Sequence, residues 1–413
     1  MYNYSLIKAI EAECNTPFYI VFEQRFENNI KQFSKAFNDI YDNFHLSYSF
    51  KTNYTPPLLN MVKDLGCFAE TVSQMEYEMA LRLGFRPDNI IFNGPIKKYE
   101  DLEKAIRYGS IIHLDGEYET ELIEEIRKNN PDLPIKVGLR VNMEINTDKG
   151  GSAIQAGLKE SRFGHTVESL GHVIPRLKAA HVVINSLHGH TSSTNRVAEN
   201  YRIISQTLLN VRNQFGLDDI EYFDLGGGFF GAAPAEVSTI NKPSYVDYAE
   251  AICSTLLADE WFADHKPAIV IEPGTSVTCN VFELVTKVYQ HKIIRDKHFI
   301  IVDASRSLVR SAISKANYLF DIVSDKETQP TITADIVGST CMEVDVVGDS
   351  VKLDHYQFGD YLVFKGEGAY RHNMNPFFIN ARPAIVKLEG ETFSIVRSRQ
   401  TSEEMLTLLG YII

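Results

Sequence analysis

The chain has 413 residues, of which 44% are hydrophobic and 23% charged, a composition typical of a globular protein with two domains. Its formal net charge of −13 argues against a nucleic acid or an anionic membrane as the main partner. We find no signal peptide, no membrane-length apolar run and no CxxC spacing among the five cysteines, so the sequence predicts a cytoplasmic protein without disulfides or a metal site.

The predicted elements begin with a strand at residues 16–23, after which apolar strands alternate with amphipathic helices such as Glu76–Leu83 and Tyr118–Lys128. The eight strands predicted in this part are HLSYSFK (45–51), FAETV (68–72), IIFNG (90–94), IIHLD (111–115), IKVGLRVN (135–142), VINSLHGH (183–190), EYFDLGGG (221–228) and AIVIEPG (268–274). Eight such units in roughly 250 residues predict a closed (β/α)8 barrel, which we place at residues 25–280.

After residue 280 the pattern changes to short apolar runs separated by turns, for example FELVTKVYQ, FIIVDA, ITADIVG and YLVF. Such runs predict a mainly antiparallel β domain at residues 281–413. The strand at 16–23 precedes the barrel, so residues 1–24 are expected to join the β domain. The expected fold is therefore α/β, with a barrel and a β domain that is discontinuous in sequence.

Polar residues mark the ends of several predicted barrel strands, where the chemistry of such barrels is located. The first strand ends at Lys51, the sixth at His190, the seventh in the triplet Gly226–Gly228 and the eighth near Glu272. Each has an ordinary structural explanation, as a solvated charge, a rim histidine, a barrel turn or a turn cap. Together they suit pyridoxal phosphate (PLP), which needs a lysine for its aldehyde, N–H donors for its phosphate and a carboxylate for its ring nitrogen.

The order of the motifs YSFKTN, LHGHTSS, DLGGGF, EPGTS, CMEVD and GAYRHNM resembles that of the fold type III PLP-dependent decarboxylases, in particular diaminopimelate decarboxylase and then ornithine decarboxylase. The similarity covers nearly the whole chain and includes ETVSQMEYEMAL, LRVN, SRFG and ARPA. The resemblance implies an enzyme that removes the α-carboxylate of an amino acid or amino-acid conjugate. It also implies an alanine racemase-like barrel and β domain, and a homodimer with shared active sites.

The resemblance further implies roles for individual residues. Lys51 would bind the cofactor as a Schiff base, Glu272 would keep its ring nitrogen protonated, and Cys341 would act across the dimer interface to return a proton to the substrate carbon. His190 would stack on the pyridine ring, and Arg140 would lie near it. The phosphate would be bound by Ser193, Gly227, Gly228 and Tyr370.

Three departures from the family pattern concern the substrate. Thr275 stands where the family has an arginine, and Met342-Glu343 follow the motif cysteine where relatives have Glu-Ser or Asp. Ser314 stands at a tyrosine position. Because methionine cannot pair with a distal ammonium, we expect a substrate with an additional carboxylate, which Arg310 would bind.

Three alternatives remain at this point. Diaminopimelate itself is an alternative substrate. Amino-acid racemisation is an alternative reaction, because alanine racemases share the barrel and the PLP lysine, although the CMEVD and GAY motifs favour decarboxylation. A binding protein that has lost PLP is a third, and the presence of Lys51, His190, Glu272 and Cys341 argues against it.

Overall fold

The computed structural model describes residues 2–145, 158–191, 196–233, 242–309, 319–327, 329–354, 356–371, 373–374 and 378–411. Three residues singled out above, Ser193, Arg310 and Ser314, lie outside these ranges. The chain forms two compact units. The barrel unit comprises residues 27–231 and 240–277, and the β unit comprises residues 1–26, 232–239 and 278–413.

The chain begins with helix α1 (Tyr4–Cys14), strand β1 (Phe18–Val21) and helix α2 (Glu23–Asn38). The barrel unit then contains a closed ring of eight parallel strands: β2 (Phe44–Ser49), β3 (Phe68–Thr71), β4 (Ile90–Phe92), β5 (Ile111–Leu114), β6 (Lys136–Val141), β7 (Val183–Gly189), β8 (Tyr222–Asp224) and β9 (Ala268–Ile271). The pairing of β9 with β2 closes the ring. The predicted barrel is confirmed, and each strand ends before its predicted last residue.

Helices separate the strands of the barrel. They are α3 (Pro56–Asp64), α4 (Gln74–Arg82), α5 (Tyr99–Tyr108), α6 (Glu117–Asn129), α7 (Val167–Ala179), α8 (Ala198–Phe215), α9 (Tyr245–Leu257), α10 (Glu260–His265) and α11 (Thr275–Thr278). Local sequence explains several of their ends. Helix α3 starts with two prolines, whose fixed φ suits a first turn, and α5 stops at Gly109, which adopts a left-handed φ of 73°.

The β unit contains β1 and eight later strands: β10 (Phe282–Ile294), β11 (Lys297–Val302), β12 (Phe320–Val323), β13 (Ile332–Val337), β14 (Val346–Leu353), β15 (Tyr361–Lys365), β16 (Ala384–Glu389) and β17 (Thr392–Arg397). Helices α12 (Arg306–Val309) and α13 (Ser402–Leu408) also belong to it. Among the described strand pairs of the β unit, only β1–β16 and β11–β13 are parallel, so the predicted mainly antiparallel domain is confirmed. None of the helices in the described ranges has the length and apolar character needed to cross a membrane.

The interior of the barrel changes from apolar to polar along its strands. Alternate residues of a strand share a face, so residues two apart on an inward face lie one above the other. The apolar layer consists of Phe68, Ile91, Ile111 and Val270, with Tyr222 packed against them. The polar layer lies two residues further along the same five strands and consists of the buried residues Glu70, Asn93, His113, Asp224 and Glu272. This polar layer places the candidate site at the C-terminal ends of the strands.

Candidate active site

Lys51 lies in a short 3-10 turn, Phe50–Thr52, that follows β2. Its ammonium forms an ion pair with Glu70 on β3. The lysine side chain is 37% exposed, whereas that of Glu70 is only 1% exposed. The structure therefore offers an amine that a ligand can reach, held by a buried carboxylate. This arrangement suits covalent capture of an aldehyde.

Asn93 follows β4 and connects two carboxylates of the polar layer. Its Nδ2 donates to Oε1 of Glu272 at 2.5 Å and to Oε1 of Glu70 at 3.2 Å. Its Oδ1 lies 2.7 Å from Nδ1 of His113, whose Nε2 lies 2.7 Å from the hydroxyl of Ser186. A continuous hydrogen-bonded network thus runs from Glu70 and Glu272 to the middle of β7.

Three imidazole rings lie nearly parallel in this region. The centroids of His113 and His188 are 4.8 Å apart with an interplanar angle of 19°, and those of His188 and His190 are 6.5 Å apart with an angle of 10°. Burial lowers the pKa of His113 and of His188 well below the usual range, and it lowers the pKa of His190 to about 3. The rings are therefore neutral at physiological pH and present flat, uncharged faces.

The glycine triplet after β8 is shaped by its backbone. Gly226 and Gly228 have φ values of 64° and 91°, which favour glycine. A Cβ atom on Gly227 would lie 2.4 Å from the backbone oxygen of Glu272. The N–H of Gly227, which the resemblance assigns to phosphate binding, donates to Nδ1 of His190 at 2.9 Å. The triplet therefore fixes the ring of His190 as well as allowing close approach of a ligand to the backbone.

A second carboxyl group lies beside Glu272. Asp224, the last residue of β8, is fully buried, and its Oδ1 accepts a hydrogen bond from the N–H of Gly226 at 2.9 Å. Burial, and then repulsion by Glu272, raises the pKa of Asp224 well above its usual range. The buried site therefore favours the protonated form of Asp224 more than water does.

The chemistry of this region fits PLP better than a metal ion. Ligand atoms of His113, Asp224 and Glu272 lie within 4.8 Å of one another, but both ring nitrogens of His113 already have hydrogen-bond partners. Among the described residues, five buried polar atoms around Glu272 and the histidine rings have no hydrogen-bond partner: Nε of Arg140, Nδ1 and Nε2 of His188, Oδ2 of Asp224 and Oγ of Ser276. Unpaired buried polar atoms are costly, so we expect a polar ligand to complete their bonding.

The structure brings together six predicted site residues in the barrel unit: Lys51, Arg140, His190, Gly227, Gly228 and Glu272. Of these, Arg140 pairs with Asp115 at 3.1 Å. The other predicted site residues that the structure describes belong to the β unit. Of these, Cys341, Met342 and Glu343 are exposed between β13 and β14. Tyr370, also in the β unit, has a positive φ of 62°. Ser193 and Arg310 lie outside the described residues.

Sequence analysis did not single out Glu70, Asn93, His113 or Asp224. A signal was present, because each lies two residues beyond an apolar residue near the end of a predicted strand. Inward-facing positions at strand ends are where a barrel places its functional side chains. This spacing makes the four residues candidates only, because both faces of a parallel barrel strand are buried and the sequence does not mark which one is inward.

Comparison with known proteins places these observations in context. The sequence profile of the family described as "pyridoxal-dependent decarboxylase, pyridoxal binding domain" matches residues 23–279. Diaminopimelate decarboxylase of Helicobacter pylori is 27% identical over 402 residues, which are 95% of each chain. That of Aquifex aeolicus is 28% identical over 402 residues, which are 95% of this chain and 91% of the relative.

Two solved structures extend the comparison. Diaminopimelate decarboxylase of M. jannaschii in complex with L-lysine has a TM-score of 0.84 and 25% identity, over 97% of this chain and 93% of that chain. The arginine decarboxylase of Paramecium bursaria Chlorella virus has a TM-score of 0.76 and 21% identity, over 93% of this chain and 100% of that chain. At that identity the second likeness concerns the fold alone.

Proposed function

The chain belongs to the pyridoxal-dependent decarboxylase family, and we propose that it removes the α-carboxylate of an amino acid or amino-acid conjugate that carries an additional carboxylate. It is a PLP-dependent amino-acid decarboxylase. The observation that supports the assignment of its site is the pairing of an accessible Lys51 with buried Glu70, in the same polar layer as Glu272.

Each residue of the site has a role in this proposal. PLP, when bound, supplies an aldehyde for the amine and a conjugated ring that accepts the electron pair released with CO₂. Lys51 holds the cofactor covalently, and Glu272 holds a proton at the ring nitrogen. The neutral ring of His190 would pack against the cofactor ring, near Arg140.

The phosphate would be bound by four residues: Ser193, Gly227, Gly228 and Tyr370. The φ of 91° at Gly228 fits a turn that directs backbone N–H groups toward an anion. The N–H of Gly227 already has an acceptor in His190, so its own contribution requires that this bond be exchanged or shared.

Covalent attachment is the direct test of this site. Borohydride reduction of the PLP-loaded protein, followed by peptide mapping, should place the pyridoxyl group on Lys51, and Lys51→Ala should abolish the label. Lys97→Met is the matched control, because Lys97 is fully buried in a pair with Glu119 at 2.7 Å. A label on another lysine would refute the assignment.

We also propose a cytoplasmic homodimer in which Cys341 serves the active site of the second subunit. Cys341, Met342 and Val344 are exposed in the single chain, as a segment that a partner covers would be. All five cysteines are free thiols, which agrees with a reducing compartment.

Mixed dimers test the shared site. Lys51→Ala and Cys341→Ala proteins should each be nearly inactive, and dimers that contain one subunit of each should regain part of the activity, because one of their two sites keeps both residues. Verified mixed dimers without regained activity would refute the shared site.

The substrate is the open part of this proposal. An additional carboxylate is supported by Met342, which cannot pair with a distal ammonium as a carboxylate would, and by the presence of Arg310 in the sequence. Thr275 stands where the family has an arginine, which leaves Arg310 as the candidate partner of an anionic group. Diaminopimelate, an amino acid with a second carboxylate, is favoured by the names of the relatives. A CO₂-release screen should show turnover of such substrates and poor turnover of lysine and ornithine.

Arg310 is tested in the same screen. Arg310→Ala should lower kcat/KM for the preferred substrate by roughly a hundredfold, because the additional carboxylate of the substrate would lose its cationic partner. The affinity for PLP should change little. Efficient decarboxylation of ornithine, or an unchanged kcat/KM in Arg310→Ala, would contradict the substrate class.

A further inference from the structure

The side chain of Asn93 is 2% exposed, and its amide hydrogen-bonds to three titratable groups. An amide has two N–H donors and one acceptor oxygen. The nitrogen must face Glu70 and Glu272, because the reversed orientation would place the amide oxygen against two carboxylates. The oxygen therefore accepts from Nδ1–H of His113, which fixes the tautomer of that ring.

The rest of the network is equally specific. With the proton of His113 on Nδ1, its Nε2 accepts from the hydroxyl of Ser186, and both residues are buried. This bond passes Gly138 on the intervening strand β6. A Cβ atom there would lie 2.4 Å from Cδ2 of His113 and 2.7 Å from Cβ of Ser186. Glycine at this position thus leaves room for the network.

We propose that Asn93 is a positioning residue that fixes the carboxylates of Glu70 and Glu272 relative to each other. One amide thereby orients both the counter-ion of Lys51 and the carboxylate that faces the ring nitrogen of PLP. This inference rests on the proposed roles of Lys51 and Glu272. It adds a residue whose loss affects both ends of the cofactor at once.

The charged groups around Asn93 determine in which direction its loss should shift the pH dependence of PLP binding. The titratable and charged groups in this region are Lys51, Glu70, His113, Arg140, His188, His190, Asp224 and Glu272. Donors to a carboxylate favour its charged form. Without the donors of Asn93 the two carboxylates should take up protons at a higher pH, and a protonated Glu272 no longer favours a protonated ring nitrogen. PLP affinity should therefore be lost at a higher pH when the protein is acidified.

The test compares two isosteric substitutions in the full chain. Asn93→Asp keeps the shape of the side chain and removes both donors. Asn185→Asp is the matched control, because Asn185 is 6% exposed and donates to Oε2 of Glu221 at 2.9 Å, near the N-terminal ends of β7 and β8. The measurements are the PLP dissociation constant against pH and the pH midpoint of the visible absorption of bound PLP.

We expect Asn93→Asp to weaken PLP binding at neutral pH by roughly ten- to a hundredfold and to move the acid limit of binding upward. Asn185→Asp should leave both quantities unchanged, even where it lowers the melting temperature. A merely structural role for Asn93 would lower the melting temperature alone. Unchanged affinity and midpoint in Asn93→Asp, or an equal shift in Asn185→Asp, would overturn the inference.

Ser186→Ala decides the question if Asn93→Asp gives no folded protein. It removes the donor to Nε2 of His113, so that the ring can change tautomer and withdraw its proton from Asn93. A smaller upward shift of the same limit is expected, and no shift would overturn the inference. Borohydride mapping distinguishes failure of this inference from failure of the proposed function. A label on Lys51 with no shift of the acid limit refutes only the role of Asn93, whereas a label on another lysine refutes the proposed function.

Discussion

The apolar and polar layers of the barrel interior lie on the same five strands, two residues apart, and differ in what they can do. The apolar layer, for example Phe68 and Ile91, fills space and needs no partners. The polar layer, for example Glu70 and Asn93, is equally buried and must satisfy its hydrogen bonds within itself or with a ligand. Burial alone therefore does not distinguish structural from functional positions in this barrel.

The difference between the layers has a direction along the strands. Each of these five strands places an apolar side chain in the interior first and a polar one two residues later, so the polar groups that can bind a ligand collect at the C-terminal ends. Stability should depend on the first layer, and cofactor binding on the second. Substitutions at paired positions can separate these two dependences.

The largest effect is expected at Glu272 in the polar layer. Glu272→Ala removes the carboxylate that holds the ring-nitrogen proton, so kcat/KM should fall by roughly 10²–10³-fold, the cost of losing one preorganised charge in a buried site. Glu221→Ala removes a half-exposed carboxylate that precedes β8 and should change kcat/KM little. Steady-state rates of CO₂ release check both, and comparable losses in the two variants would contradict the role of Glu272.

Ile91→Ala should show the opposite behaviour in the apolar layer. Ile91 is completely buried, and its truncation should lower the free energy of unfolding by about 2–5 kcal/mol through lost burial and a cavity. The folded fraction should keep its kcat and its PLP affinity, because no polar contact of the site is removed. Urea denaturation and PLP titration measure the two quantities. A large loss of PLP affinity in Ile91→Ala would show that the apolar layer also contributes to cofactor binding.

Gly138→Ala tests whether the polar layer depends on space as well as on hydrogen bonds. The added methyl group would overlap His113 and Ser186 and should cost about 1–3 kcal/mol of unfolding free energy, together with weaker PLP binding. Gly171→Ala is the control, since a Cβ atom there has no neighbour within 4 Å and lies in helix α7. That variant should be as stable as the parent or more so. Unchanged PLP binding in Gly138→Ala would show that the network tolerates displacement.

The sequence was sufficient to predict the barrel, the antiparallel β domain and PLP as the cofactor. Hydrophobic alternation predicted all eight barrel strands, and motif order indicated the lysine, the second histidine and the glutamate of the site. The strand ends were wrong by up to four residues, because residues such as Gly226–Gly228 continue an apolar run in sequence while the backbone has already turned. The roles assigned to single residues stay predictions.

Asn93 and His113 could not be found in the same way. In β4, Ile90, Ile91 and Phe92 are all fully buried, because helices cover the outer face of a parallel barrel and side chains fill the inner one. Neither face is therefore marked as inward by its composition. Which residue meets which across the interior depends on strand register, and register becomes visible only in the structure.

The smallest predicted effect concerns the cost of the polar layer at neutral pH. Because the pKa of Asp224 is raised in the folded protein, the folded state binds a proton that the unfolded state releases above about pH 4. The stability contributed by this group is present below that pH and is lost as the pH rises toward the pKa of the folded state.

Asp224→Asn has a neutral side chain of the same shape, so its contribution to stability does not fall as the pH rises. Without PLP, the free energy of unfolding of the variant should therefore increase relative to that of the parent as the pH rises from 4 to 7. The increase should be about 1.4 kcal/mol for each tenfold change in proton affinity between the folded and unfolded states. Urea denaturation across this range measures the difference, with exposed Asp64→Asn as the control. A difference between Asp224→Asn and the parent that does not change with pH would show that Asp224 is already ionised and that the polar layer has no such cost.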